Sequence, residues 1–472
     1  MTRREFLRAG SASAAGVAFP NLVFAKDDFD LVVLHGRVID PETKLNAVRN
    51  VGIRGGRVVS VTKETIRGRK TIDATGLVVA PGFIDVISHG QNLENDRIQL
   101  LDGVTTKLQM EAGALDVPQW YREQAGKRMC NFGCGASHSG ARRKVMNDKD
   151  VPSNDAQIAE MARLVDQGLR DGGLGVGFGL EYQPAATRWE VLEMFRVAGK
   201  YGASCHVHTR YGTLLEEQSN LTAIAEVLSA SLISGAPLHI VHVPSMALGG
   251  TPRALRVIEE AQAKGFDVTC DFYPYTAFGT GISSEVFDKG WQTKFGIDYK
   301  DLQWAKTNER LTKETFEKYR KEGGMVIAHA IPEASVQAAV KSSATMVGSD
   351  GGLEKGVGHP RSSGTFCRVL GHYARDLKLI SEADAIRKMT LMPARRFEKR
   401  CPDFKRKGRV QAGADADLVI YDPKTVVDRS TFDAPARPSV GMKWVLVGGR
   451  EAVREGVLIE GAMLGKPIRA GR

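Results

Sequence analysis

The sequence predicts an α/β protein in which a (β/α)8 barrel forms the middle and the two chain ends join into one small β domain. Two observations predict it. Residues 81–400 alternate apolar runs of strand length with amphipathic stretches, and eight such units can be counted. Residues 26–80 and 401–472 share a different texture of short β-like runs and turns, and they flank that middle on both sides. A chain of 472 residues has room for both parts. Its 42% hydrophobic and 25% charged residues are ordinary for a soluble globular protein. The net charge of +10 is scattered, with no basic stripe interleaved with aromatics, so there is no footprint for a nucleic-acid partner.

Residues 1–25 differ from the rest. "TRREFLRAG" carries Arg3 and Arg4, followed by Phe6 and Leu7. A small-residue, mildly apolar run from Ala9 to Leu22 leads to Val23–Ala25, which suits a signal peptidase. This pattern resembles a twin-arginine export signal. It predicts an exported protein, periplasmic or secreted, handled by the twin-arginine translocation machinery. No other run reaches the ~18 apolar residues of a membrane span, so no membrane association is expected once the signal is removed.

"DLVVLHGRVID", "NVGIRGGRVVSV" and "KTIDATGLVVA" then read as strands, with Gly55–Gly56 at a hairpin turn. The barrel strands are predicted in "GFIDVIS", "GVTTKLQM", "NFGCGAS", "GLGVGFGL", "ASCHVHT", "LHIVHV", "DVTCDFY" and "ATMVGSD". Helices fall between them; in 155–170, Ile158, Met161, Leu164, Val165 and Leu169 recur at helical spacing. Residues 282–322, long, charged and aromatic, interrupt the barrel before its last strand and predict a mobile lid. "GRVQAGADADLVIYDP" and "MKWVLVGGREAVREGVLI" return to strand texture and complete the end domain. Of the six cysteines, Cys205 and Cys270 sit in apolar strands, where a free buried thiol is common. Cys130 and Cys134 have no second pair to make a zinc knuckle.

Active sites of such barrels form at the C-terminal ends of the strands. The polar residues there are His89, Glu111, His138, Glu181, Tyr182, His206, His208, His242, Asp271, Tyr273 and Asp350. Five of the ten histidines are among them. Imidazoles converging on one mouth need a cation or water to offset their desolvation. Two histidine nitrogens and a carboxylate suit Zn2+. Asp85 is expected to shape a strand end, and His206, two residues before His208, to share its face. His138 is expected at the mouth or in a structural role, and Tyr275 against substrate or Pro274.

"YGASCHVHTRY", "DFYPYTAFGTG", "VGSDGG…GHPRSSGTFCRVL" and "GRVQAGADADLVIYDP" resemble the amidohydrolase superfamily, within it the D-aminoacylase (N-acyl-D-amino-acid deacylase) group, over residues 28–460. The resemblance implies a (β/α)8 barrel with a small β-sandwich built from both ends. It implies hydrolysis of the amide bond of N-acyl-D-amino acids with zinc. His208 and His242 would hold the metal. Asp350 would move a proton from the attacking water to the leaving nitrogen. Arg361 and Tyr182 would bind the substrate's α-carboxylate, with Tyr273 also available to substrate.

The sequence departs from that group at three places. The first strand has Ile87-Ser88-His89 where two histidines are usual. The second has Ala112 where a cysteine ligand is usual, with Glu111 one place earlier. Val243 and Pro244 follow His242 where some members carry a base. The expectation is one tight zinc on Glu111, His208 and His242, and a second, held by His89 and Asp350, weak or absent. For Glu111 to reach the site, the second strand must bulge or end there, because neighbouring strand residues face opposite ways. "GLGVGFGLEY" has no lysine to bridge two metals, which argues against a dihydroorotase- or hydantoinase-like centre. Two alternatives stay open: hydrolysis of another carboxylate-bearing amide such as a D-residue dipeptide, and a degenerate barrel that binds without turnover.

Overall fold

The computed structural model describes residues 29–213, 215 and 218–471. The export signal expected at 1–25 lies outside the described residues. Eight parallel strands form the barrel: β1 Phe83–Asp85, β2 Val104–Ala114, β3 Asn131–Ser137, β4 Gly175–Gly179, β5 Ser204–His208, β6 Leu238–Ile240, β7 Val268–Phe272 and β8 Thr345–Val347. They follow one another around the sheet in sequence order, and a helix or longer excursion returns the chain between them. Their residues are almost all buried, as both faces of a helix-covered parallel sheet must be.

The barrel closes just beyond β1 and β8. Ser88 bridges Gly351, and the Asp350 N–H donates to the Ile87 carbonyl at 2.8 Å. Asp85 staples the seam from beneath, accepting from the Ser349 N–H at 2.9 Å and the Ser349 hydroxyl at 2.5 Å. This stitch fixes His89 and Asp350 next to each other although 261 residues separate them.

Both chain ends contribute to a nine-stranded sheet. Val78–Pro81 is its hinge with the barrel. One edge of that strand pairs with Phe29–Asp40 and the other with Leu418–Tyr421, and the chain then runs through Gly82 into β1. Leu31, Val33, Val51, Ile53, Leu418, Ile420 and Leu446 form a core there, separate from the barrel core. Gly55 and Gly56 both take positive φ, 58° and 75°, as a two-residue hairpin turn requires.

Between β7 and β8 the chain builds a three-stranded antiparallel sheet from Phe278–Gly281, Leu302–Trp304 and Met325–Ala328, with the helices Trp291–Phe295 and Lys313–Glu322. Phe287, Trp291, Phe295, Tyr299 and Phe316 stack into one aromatic cluster inside it. The predicted insertion is thus a packed unit with its own sheet. All six cysteines are buried and free. Among the described residues no helix is long and apolar enough to cross a membrane.

Candidate metal centre

Glu111 reaches the barrel mouth because β2 bulges. Its pairing with β3 runs from Thr106–Asn131 to Gln109–Cys134 and resumes only at Ala114–Ala136. That is five steps on β2 against two on β3. Gly113 sits in the excess at φ 61°. The bulge leans over β4, where a Cβ on Gly177 would lie 2.1 Å from the Glu111 carbonyl oxygen. Only glycine fits beneath it.

His208 ends β5. Its Nε2 faces Glu181 Oε2 at 3.0 Å and its Nδ1 faces Glu111 Oε1 at 3.0 Å. With the Nε2 proton on Glu181, the Nδ1 lone pair points towards Glu111. His242 follows β6 with φ 32°, a left-handed backbone rare for such a residue. Its N–H is held by Asp271 Oδ1 at 2.8 Å. The Ser245 hydroxyl donates to the His242 carbonyl and so accepts from His242 Nδ1, each at 2.8 Å. That leaves the Nε2 lone pair facing Glu111 Oε2, 3.6 Å away.

Glu111, His208 and His242 therefore offer three ligand atoms within 4.8 Å of one another. Glu111 Oε2 is buried with no hydrogen-bond partner. A buried carboxylate whose two oxygens face two imidazole lone pairs is a site that a dication completes, and the donor set suits zinc. Burial opposes a charge on His208, but its hydrogen bonds to Glu111 and Glu181 outweigh this and raise its pKa to about 9. A metal entering the site displaces that proton.

A second group of candidate ligands, His89, Glu111 and Asp350, shares Glu111 with the first. His89 Nε2 lies 2.9 Å from Asp350 Oδ1 and 3.3 Å from Glu111 Oε2. Ile87, where a further histidine would add a ligand, is buried among Ile84, Val86 and Met110. Asp350 has φ 51°, and its other oxygen lies 2.7 Å from Arg361 Nη1. Burial works against the Asp350 charge, but the Arg361 guanidinium, His242 and the hydrogen bond from His89 together outweigh it and hold the carboxyl below its ordinary range. Arg361 stacks on the Tyr273 ring, 4.6 Å from its centroid, and Nη2 donates to the Gly279 carbonyl at 2.9 Å. Beyond its ion pair with Asp350, Arg361 Nη1 makes no hydrogen bond, and Nε and the buried Tyr273 hydroxyl make none. The Tyr182 ring lies against His208, and its hydroxyl is 3.0 Å from Thr280 Oγ1.

These groups line one cavity of about 350 Å³. Phe278, Val286, Phe295 and Met325 of the insertion form its apolar outer wall. Every residue assigned to the site from sequence lines it: His89, Glu111, Tyr182, His208, His242, Tyr273, Asp350 and Arg361. Three other strand-end candidates lie elsewhere. His206 sits one layer deeper, bonded to Ser204 and stacked on Phe397. His138 pairs with Glu190 at 2.7 Å behind β4. Tyr275 packs against His359 and Phe432.

Sequence reasoning named Glu181 and Asp271 without a role and missed His239 and Lys294. Burial raises Asp271 to about 8; one of its oxygens lies 2.6 Å from His239 Nε2 while the other carries the His242 N–H. His239 stands three residues before His242 in "LHIVHV", a visible signal. Lys294 of the insertion pairs with Glu181 across 113 residues of sequence, and no local pattern announces it.

The chain has clear relatives. The model of the amidohydrolase family matches residues 254–453. A D-aminoacylase of Alcaligenes xylosoxydans xylosoxydans is 30% identical over 476 residues, covering 90% of this chain and 95% of that protein. The structure of an N-acyl-D-glutamate deacylase from Bordetella bronchiseptica holds zinc and a phosphonate mimic of the tetrahedral intermediate. It superposes with a TM-score of 0.82 at 28% identity, covering 94% of this chain and 100% of that one. A D-aminoacylase described as having a binuclear metal centre, with one-metal activation and second-metal attenuation, superposes at 0.80 with 28% identity, over 94% and 100% of the two chains.

Proposed function

This chain belongs to the amidohydrolase family, as a metal-dependent hydrolase of amide bonds, and we propose that it deacylates N-acyl-D-amino acids with one tightly held zinc on Glu111, His208 and His242. The observation that carries this reading is the neighbourhood of Asp350. One of its oxygens faces His89, beside the Glu111 cluster, and the other faces Arg361, all in one cavity.

Zinc bound at the three ligands supplies Lewis acidity for the amide carbonyl and brings the pKa of water down to roughly 7. The remaining work falls to side chains. Arg361 Nε has no hydrogen-bond partner and Nη1 has only the ion pair with Asp350, so the guanidinium keeps donor capacity for the substrate's α-carboxylate. Tyr182 and Tyr273 line the same cavity as that guanidinium. With the carboxylate anchored there, Asp350 takes a proton from the attacking water at Oδ1 and returns it to the leaving nitrogen. His89, hydrogen-bonded to that oxygen, orients it. The apolar wall of Phe278, Val286, Phe295 and Met325 excludes water from the reacting atoms and receives the apolar part of the substrate. A second ion at His89 and Asp350 binds weakly in this reading, because Ile87 contributes no ligand. Arg3 and Arg4 support export as part of the same proposal.

The test pairs a metal count on the purified protein with turnover of matched N-acetyl-D- and N-acetyl-L-amino acids and D-residue dipeptides. The expected result is stoichiometric zinc and preference for the N-acetyl-D series. Absence of bound metal sinks the reading. Asp350→Asn is expected to retain zinc while turnover falls roughly 10²–10⁴-fold; an Asn variant with near-normal rates removes the proton-transfer role.

A further inference from the structure

The nitrogen of His208 that faces away from the ligand cluster is bonded to Glu181, and Glu181 is bonded in turn to Lys294 of the insertion. We infer that Lys294 is a positioning and charge-balancing residue for the metal centre: through Glu181, the insertion that roofs the cavity sets how strongly His208 donates to the metal. The inference rests on the metal reading of Glu111, His208 and His242 and adds to it the role of a residue outside the barrel.

The geometry has three parts. Glu181 sits in a short helical turn immediately after β4 and is 6% exposed, so solvent does not screen its charge. Its two oxygens are divided, Oε2 to His208 and Oε1 to Lys294. A side chain added at Gly212 would bring its Cβ within 3.1 Å of Oε1, so the carboxylate is confined on the side away from His208. Lys294 lies in the helix Trp291–Phe295, next to Phe295 of the cavity wall, and that helix is packed into the aromatic cluster. The ammonium therefore approaches Glu181 as part of a packed unit.

A carboxylate on the far nitrogen of a ligating histidine orients the ring and raises its basicity. A cation on that carboxylate draws the charge back. Glu181 and Lys294 should therefore act on the metal in opposite directions, which a merely structural clasp would not do.

The experiment measures release of zinc from the full-length zinc-loaded protein to a chromogenic chelator, with no substrate present. Glu181→Gln keeps an acceptor for His208 but loses the charge, and is expected to release zinc roughly tenfold faster. Lys294→Met keeps the stem but loses the cation, and is expected to release zinc more slowly than the parent while kcat falls. Lys294→Arg should restore the parental rate. The Co2+-substituted protein should show its visible absorption bands displaced in opposite senses by the two charge-removing variants. If Lys294→Met releases zinc at the parental rate or faster, or if Glu181→Gln leaves it unchanged, the inference is overturned. Failure of the metal reading looks different, because the parent protein itself then holds no zinc. Failure of the substrate assignment leaves the release rates untouched.

Discussion

Arg361 has three partners already and still has donor capacity left over. It stacks on Tyr273, pairs with Asp350 through Nη1 at 2.7 Å, donates to the insertion at the Gly279 carbonyl, and still has Nε without a partner. A buried cation with donors to spare is costly unless a ligand uses them. A bidentate charge-assisted bond is worth ~1.5–3 kcal/mol. Arg361→Lys keeps the charge but loses the planar fork and the stack. It is expected to raise KM for an N-acyl-D-amino acid by roughly 10- to 100-fold with zinc content unchanged. A parental KM in the lysine variant would show that the carboxylate binds elsewhere. His242 and Asp350 make a second residue-scale point, since both hold left-handed backbones, at φ 32° and 51°. Such strain persists where neighbours enforce it, and here Asp271 and the Ile87 carbonyl do so.

At the scale of the element, β2 decides the candidate ligand set. A regular strand would turn Met110 and Glu111 to opposite faces. The bulge ends the alternation, so Met110 joins the buried core while Glu111 reaches the mouth. Gly113 has φ 61°, and a Cβ there would lie 2.6 Å from the Ala136 carbonyl. Gly113→Val is therefore expected to cost ~1–3 kcal/mol and to lower zinc content, although Gly113 is not itself a ligand. Thermal melting and metal analysis of that variant check both halves. Full zinc occupancy with a parental melt would mean that the bulge is not what presents Glu111.

Across the whole molecule, the candidate metal centre ties together strands far apart in the chain. Glu111 comes from β2, His208 from β5 and His242 from the end of β6, while Asp350 and His89 meet at the seam where the barrel closes. An ion held by three of these elements stabilises the folded state over the unfolded one. At a free zinc concentration about 100 times Kd the gain is ~2.7 kcal/mol, which is expected to raise Tm by a few degrees over the chelated protein. The Glu111→Ala variant should melt at the same temperature with and without zinc. A zinc-dependent rise of parental size in that variant would place the stabilising ion elsewhere.

The eight apolar runs, the polar residues that end them and the β texture of both chain ends were legible in the sequence because each is a local pattern. Strand burial, turn glycines and the strand-end rule for barrels all act over a few residues. Those patterns are enough to gather His89, Glu111, His208, His242 and Asp350 as candidates. The tertiary structure decided which of the strand-end histidines share the cavity. His206 and His208 lie on one strand face, yet one packs on Phe397 in the layer below and the other reaches Glu111. It also decided how Glu111 arrives, since a bulge is a mismatch between two strands and exists only in the pair. Lys294 on Glu181, Asp271 beneath His242 and Asp85 across the seam were settled there as well. These contacts form only when segments 29 to 264 residues apart close on each other, and no periodicity in one segment encodes what another will bring.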